Sequence, residues 1–490
     1  MVDDRAPVVI GVGQTVHKAD DIADALEPAE LMAESVRRAA VDAGLGEVPA
    51  PDSLRVVNLF SWRYGNAARV VARRLGVEAR HHGYGTVGGN SPQSMVNATA
   101  AEIQHGELDV AILTGAEAWR TRMRAKRDRV VLDWEKDDSE PEVIGEELDM
   151  NLPAEIEHGI VMPVQVYPLF ETAIRAGAGH TVDQHGRHIA ELWAAMSRVA
   201  AGNEFAWSRE VFTPEQLATP SDDNRMIGLP YPKRLNSNND VDMGAALIVC
   251  SAGAARRLGV PSDRWVYLQA GAESHEHPYV SHRWEFSRTP AIEIGGRRAL
   301  DLAGVGIDDI SLVDLYSCFP SATQLGASSL GIGLDRPLTL TGGMAFAGGP
   351  WNSYVMHAIA TMVVRLREQP GELGLVWGNG GYVTKHSFGV YGTEPPTGGF
   401  RVGRPQAEID ALARRELASP ADAAGPATVE AYTVMFDRDQ QPELAIASCL
   451  LADGRRAWAT SAAPEVTADM TEGEWVGAEI TLSQDAMLCI

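Results

Sequence analysis

Apolar residues in the first 120 positions alternate between short continuous runs and three- and four-residue spacing, the two periods of buried strands and amphipathic helices. Val8, Val9 and Ile10 read as a strand, and residues 28–43 as a helix closed by Gly44. A second strand is predicted at 54–59, a helix at 67–75, a turn through Gly83, Gly85, Gly88 and Gly89, a helix at 91–105 and a strand at 110–113. Strands alternating with helices predict an α/β layer architecture.

The order recurs: a helix near 297–302, a strand at 311–315, a glycine turn from Gly342 to Gly349, a helix at 353–368 and a strand at 373–377. Gly88-Gly89-Asn90-Ser91 faces Gly348-Gly349-Pro350-Trp351-Asn352-Ser353, and Gly106-Glu107-Leu108 faces Gly371-Glu372-Leu373, which predicts an internal duplication. The intervening 119–235 are irregular, with one clear helix pattern at 188–201. Beyond Pro395 and Pro396 the alternation becomes two-residue at 427–436, 443–451 and 475–482, as in strands. Three units follow: 1–255 with the insertion, 256–395, and a β-rich 396–490.

Hydrophobic residues at 45% and charged residues at 22% are those of a globular protein. A formal charge of -24 opposes nucleic-acid binding. The acidic start and the lack of a membrane-length apolar run predict a cytoplasmic protein without a membrane span. Cys250, Cys318, Cys449 and Cys489 show no paired spacing, so neither a disulfide framework nor a metal site is predicted. One basic run, Arg120, Arg122, Arg124, Lys126, Arg127 and Arg129, reads either as a phosphate-holding segment or as a solvated face balancing Asp137, Asp138 and Glu140.

Asn236-Ser237 with Asp242-Met243-Gly244-Ala245-Ala246, then Gly342-Gly343 and Gly348-Gly349-Pro350, resemble in order and spacing the motifs of the thiolase superfamily. The chain looks like a type 1 thiolase-like protein, similar to acetyl-CoA acetyltransferases over residues 6–395. The resemblance implies a five-layered thiolase fold of two βαβαβ halves, with an extra, OB-like C-terminal domain. It also implies acyltransferase chemistry in lipid metabolism, with coenzyme A or an acyl-CoA as ligand rather than a permanently bound cofactor. In the family the loop insertion contacts the coenzyme, which makes Arg120, Arg122 and Arg124 candidates for its phosphates.

The catalytic positions depart from the family. Gly89 stands at the nucleophilic cysteine, Tyr316 at the Asn or His of an oxyanion hole, Gly349 at the histidine base and Trp377 at the second cysteine. These changes remove nucleophile, base and second thiol, so ordinary thiolysis is not expected. A phenol at 316 still offers an oxyanion donor. Cys318 with His357 or His386 is an alternative acyl-transfer pair, although a cysteine beside Phe319 also reads as a small buried hydrophobe. The segment Tyr382 to Ser387 brings an imidazole and an ammonium toward the same region. His275-Glu276-His277, and His185 with His188, lack a third ligand at fixed spacing. The remaining alternative is a noncatalytic scaffold, monomer or homodimer, whose C-terminal domain recruits a protein partner.

Overall fold

The computed structural model describes residues 3–483 and 488–489. An 11-stranded sheet runs in the order Ile310–Leu315, Leu373–Gly380, Lys385–Gly392, Val266–His275, Pro7–Val16, Asp242–Ser251, Val110–Ala118, Ser53–Val56, His81–Gly85, Glu142–Ile144, with Val402–Gly403 beside Val266–His275. The duplication is visible in the pairing. Pro7–Val16 lies antiparallel to Asp242–Ser251, which lies antiparallel to Val110–Ala118, itself parallel to Ser53–Val56. Val266–His275, Lys385–Gly392, Leu373–Gly380 and Ile310–Leu315 repeat that sequence of directions. Val8 and Val9 pair with Tyr267 and Val266 and join the halves.

The helices Ser91–His105 and Tyr354–Glu368 occupy equivalent places, touch each other and pack on strands of both halves. Pro92 in the first turn and Gly106, at φ 83°, bound the first of them. Gly83 and Gly85, expected in a turn, instead belong to the strand His81–Gly85. Close packing explains them: a Cβ on Gly83 would lie 2.4 Å from Ile144 Cδ1, and one on Gly85 2.5 Å from Ser91 Oγ. Ile144 belongs to Glu142–Ile144, which covers the sheet edge.

The insertion is more helical than its sequence suggests, with Trp119–Asp128, Pro163–Gly177 and Val182–Gly202. Pro168 inside the second of these disguises the periodicity. Among the described residues no helix is long and apolar enough to cross a membrane.

A second, antiparallel sheet holds Gly425–Phe436, Pro442–Leu451, Arg456–Ser461, Glu479–Leu482 and Leu488–Cys489. Residues 475–478, expected to be extended, precede the strand Glu479–Leu482, and Arg456–Ser461 is too short to announce itself by alternation. The sheet has its own core, including Val429, Val434, Ala447 and Met470. It is docked as well: Thr172 Oγ1 on Pro163–Gly177 donates to Tyr432 O at 3.0 Å, Gly228 of the insertion pairs with Met435, and Phe286 stacks on Trp458 at 6.3 Å.

Candidate functional site

The turns that carry the motifs meet where the two central helices begin. Gly88 N donates to Asn352 Oδ1 at 3.0 Å, joining the equivalent turns of the two halves. A Cβ on Gly89 would lie 2.0 Å from Tyr316 Oη and 2.5 Å from the backbone oxygen of Asn379. Tyr316, which follows the strand Ile310–Leu315, therefore fills the volume that a side chain at 89 would need. Burial, with Cys318 adding to it, holds its phenol protonated, so it is a donor at neutral pH. Gly349 repeats the arrangement, since a Cβ there would meet Ser237 Oγ at 2.1 Å. Trp377 is buried against Gly326, whose added Cβ would come 2.4 Å from the indole ring.

The sequence-derived candidates are close in the chain yet separately engaged. Burial pushes the Cys318 thiol up to about 12, too high to hold a thiolate at neutral pH. Its hydrogen-bonding neighbour is Tyr167, whose hydroxyl donates to Gly381 O at 2.8 Å and accepts from Asn379 Nδ2 at 2.9 Å. His386 Nδ1 accepts from Trp377 Nε1 at 3.4 Å, and burial, helped by Arg283, holds the imidazole well below its ordinary value. His357 Nδ1 lies 2.8 Å from Gln14 Oε1, and burial pushes that ring down to about 3. Both imidazoles are neutral, and Nε2 of each is buried without a partner among the described residues. Among the described residues no hydrogen bond joins Cys318 to either histidine.

A cleft of about 560 Å³ opens beside Gly349. Ser237, Asn238 and Asn239 form one wall, and Lys233, Arg234 and Trp207 contribute to the others. Lys18 Nζ sits 5.0 Å from the Trp207 ring, and the Arg120 guanidinium 5.9 Å from it. Arg120, Arg122 and Arg124 lie on Trp119–Asp128 and donate to backbone oxygens: Arg120 and Arg124 to Ala19, Arg122 to Phe60. Asp137, anticipated as a counter-charge to this run, pairs with Arg73 at 2.5 Å instead. The three arginines thus make no carboxylate ion pair among the described residues.

Residues 405–487 match the family described as thiolase-like protein type 1 additional C-terminal domain. The crystal structure of a monomeric SCP2-thiolase like protein type 1 from Mycobacterium smegmatis is 32% identical, with a TM-score of 0.85 over 100% of both chains. The chain belongs to the SCP2-thiolase-like protein type 1 family. An acetyl-CoA acetyltransferase of Methanothermobacter thermautotrophicus is 27% identical over 174 residues, 30% of this chain and 45% of that protein. A 3-ketoacyl-CoA thiolase of Idiomarina loihiensis is 27% identical over 202 residues, 40% of this chain and 50% of that one. The chain spans about half the length of these curated relatives.

This type 1 thiolase-like chain also buries carboxyls near its motif turns, Glu117 and Asp314 among them, which sequence reading missed. Glu117 accepts from Phe60 N at 2.7 Å and Ser61 N at 2.8 Å, and burial raises its carboxyl to about 7. Asp314 accepts from Thr339 Oγ1, Leu340 N and Tyr354 Oη, and burial raises it to about 6. A raised folded-state value favours the folded protein fully below the ordinary carboxyl range, and the advantage fades as pH climbs through 6 and 7. Urea midpoints are therefore expected to fall between pH 5.5 and pH 8, and Glu117→Gln to flatten that slope. A slope unchanged in the variant would show that Glu117 ionises freely.

Proposed function

We propose that this protein binds coenzyme A or an acyl-CoA thioester in the cleft beside Gly349, without cysteine-based thiolysis. The observation that carries the reading is the cleft itself, which has the Ser237 motif in its wall and adjoins the Gly348-Gly349 turn. Its size suits a pantetheine-sized ligand. Lys18 and Arg120 lie over Trp207, while Lys233 and Arg234, the latter over Phe212, line the cleft together with Glu210, Asp223 and Asp240, so the four cations supply phosphate partners and Trp207 an aromatic face. The names of the curated relatives, both thioester enzymes, support the ligand class.

The absence of side chains at Gly89 and Gly349, and the indole at 377, support the second half of the reading. Cys318, with its raised thiol pKa, is a poor nucleophile, and Tyr316, packed against Gly89, keeps its phenol protonated as a donor outside the cleft's lining. Calorimetric titration with coenzyme A and acetoacetyl-CoA tests binding, and a thiolysis assay on the same sample tests chemistry. Binding that weakens on raising the salt and in a Lys233→Glu/Arg234→Glu variant is expected, with no thiolysis. Absence of heat with either ligand, or affinity indifferent to both changes, would overturn the site.

A further inference from the structure

Of the 42 basic residues only five are lysines, Lys18, Lys126, Lys136, Lys233 and Lys385. Four are exposed, while Lys385 is only 6% exposed. Elsewhere the chain meets its need for cations almost entirely with arginine, which cannot give up its proton. A buried lysine can. Strand register explains where Lys385 goes: it lies opposite His275, and Ser387 lies opposite Glu273, so these four share one face of the sheet while His386 takes the other.

That face borders a cavity of about 400 Å³, lined by Lys385, Glu273, His275, Asn90 and Ser94, with Arg404 exposed at its rim. The cavity is separate from the cleft beside Gly349; the two share no lining residue. Lys385 Nζ donates to Val87 O, and Glu273 accepts from Asn97 Nδ2 at 2.6 Å and Ser387 Oγ at 2.5 Å. Among the described residues no ion pair joins the lysine and the glutamate. Each group has its own anchor, and both border the cavity, whose lining also includes Glu146.

We propose that this cavity takes a short oxo acid and holds it as a reversible imine on Lys385. The amine lone pair adds to the carbonyl carbon as the C=O π bond breaks, and a proton passes from nitrogen to oxygen to give the carbinolamine. The Glu273 carboxyl then protonates the hydroxyl, the C–O bond breaks, water leaves and the protonated imine remains beside the Glu273 carboxylate. Arg404 receives the ligand's own carboxylate. Burial favours both reactive forms, lowering the Lys385 ammonium and raising Glu273 to about 7.

The test uses the full chain, pyruvate or propionaldehyde as probe, cyanoborohydride to trap the imine and peptide mass spectrometry to locate it. The four exposed lysines are internal controls, so the central result needs no variant. Adduct is expected to form at Lys385 ahead of Lys126 and the other exposed lysines, as for an amine whose charged form is disfavoured by burial. Glu273→Gln is expected to slow trapping with both probes, and Arg404→Ala with pyruvate alone. Adducts confined to the exposed lysines, or spread evenly over all five, overturn the proposal. Trapping at Lys385 indifferent to Glu273→Gln overturns the proton transfer assigned to that carboxyl.

Discussion

The Gly89→Ala protein is expected to be less stable than the parent by about 1–3 kcal/mol, the range of overpacked cores. The new methyl would lie 2.0 Å from Tyr316 Oη and 2.4 Å from Cζ, so the ring must move, and the Asn379 carbonyl at 2.5 Å must yield too. Gly89 does not have a positive φ, so its backbone conformation is open to alanine. In a Tyr316→Ala background the same substitution is therefore expected to be far less harmful. Urea unfolding of the four proteins gives the coupling energy, and a coupling of about 1 kcal/mol or more is expected for residues in such contact. Additive effects would show that Tyr316 does not occupy that volume. Gly89→Cys should meet the same obstruction, so a thiol at this position should bring no thiolysis.

Arg456→Met is expected to destabilise the protein by about 3–5 kcal/mol, as when one partner of a buried ion pair is removed. Arg456 is 0% exposed and joins Glu430 through two bonds of 2.8 and 2.9 Å. Its remaining amino group donates to Ser281 O at 2.7 Å and Arg283 O at 2.6 Å, and its guanidinium lies over Phe286 at 4.4 Å. One side chain of the C-terminal sheet thereby satisfies a loop of the thiolase-like body. Removing it leaves Glu430 and two carbonyls short of partners. Lysine should rescue little, because a point charge reproduces neither the fork to the carboxylate nor the two carbonyl bonds. Early cleavage near 395–424 in limited proteolysis, ahead of the rest of the chain, would mark undocking. A single unchanged unfolding transition would show that the sheet is held by packing alone.

Arg175, 4% exposed and paired with Glu474, spans the same boundary. Neither arginine stood out in the sequence, where an isolated arginine looks like any surface cation. Their buried role depends on partners 26 residues away for Arg456 and 299 for Arg175. The helix Pro163–Gly177 was missed for a local reason, since Pro168 inside it reads as a breaker. The prediction of a helix at 67–75 coincides with the observed Ala67–Leu75, where Asn66 caps the start and Gly76, at φ 68°, ends it.

The α/β class, the duplication, the β-rich tail and the family are legible along the chain, because period, caps and glycine turns are local or nearly local properties. The glycines of the two turns, Gly89 and Gly349, and the side chains Tyr316 and Trp377 that the resemblance singled out are likewise read straight from the chain. What surrounds them is set by packing between distant segments. That Tyr316 fills the space beside Gly89, that Cys318 answers to Tyr167 rather than to an imidazole, and that His386 and Lys385 face opposite sides of one strand are results of strand register and helix packing between distant segments. Burial, and with it the protonation of Cys318, His357, Asp314 and Glu117, arises only when those segments exclude water together.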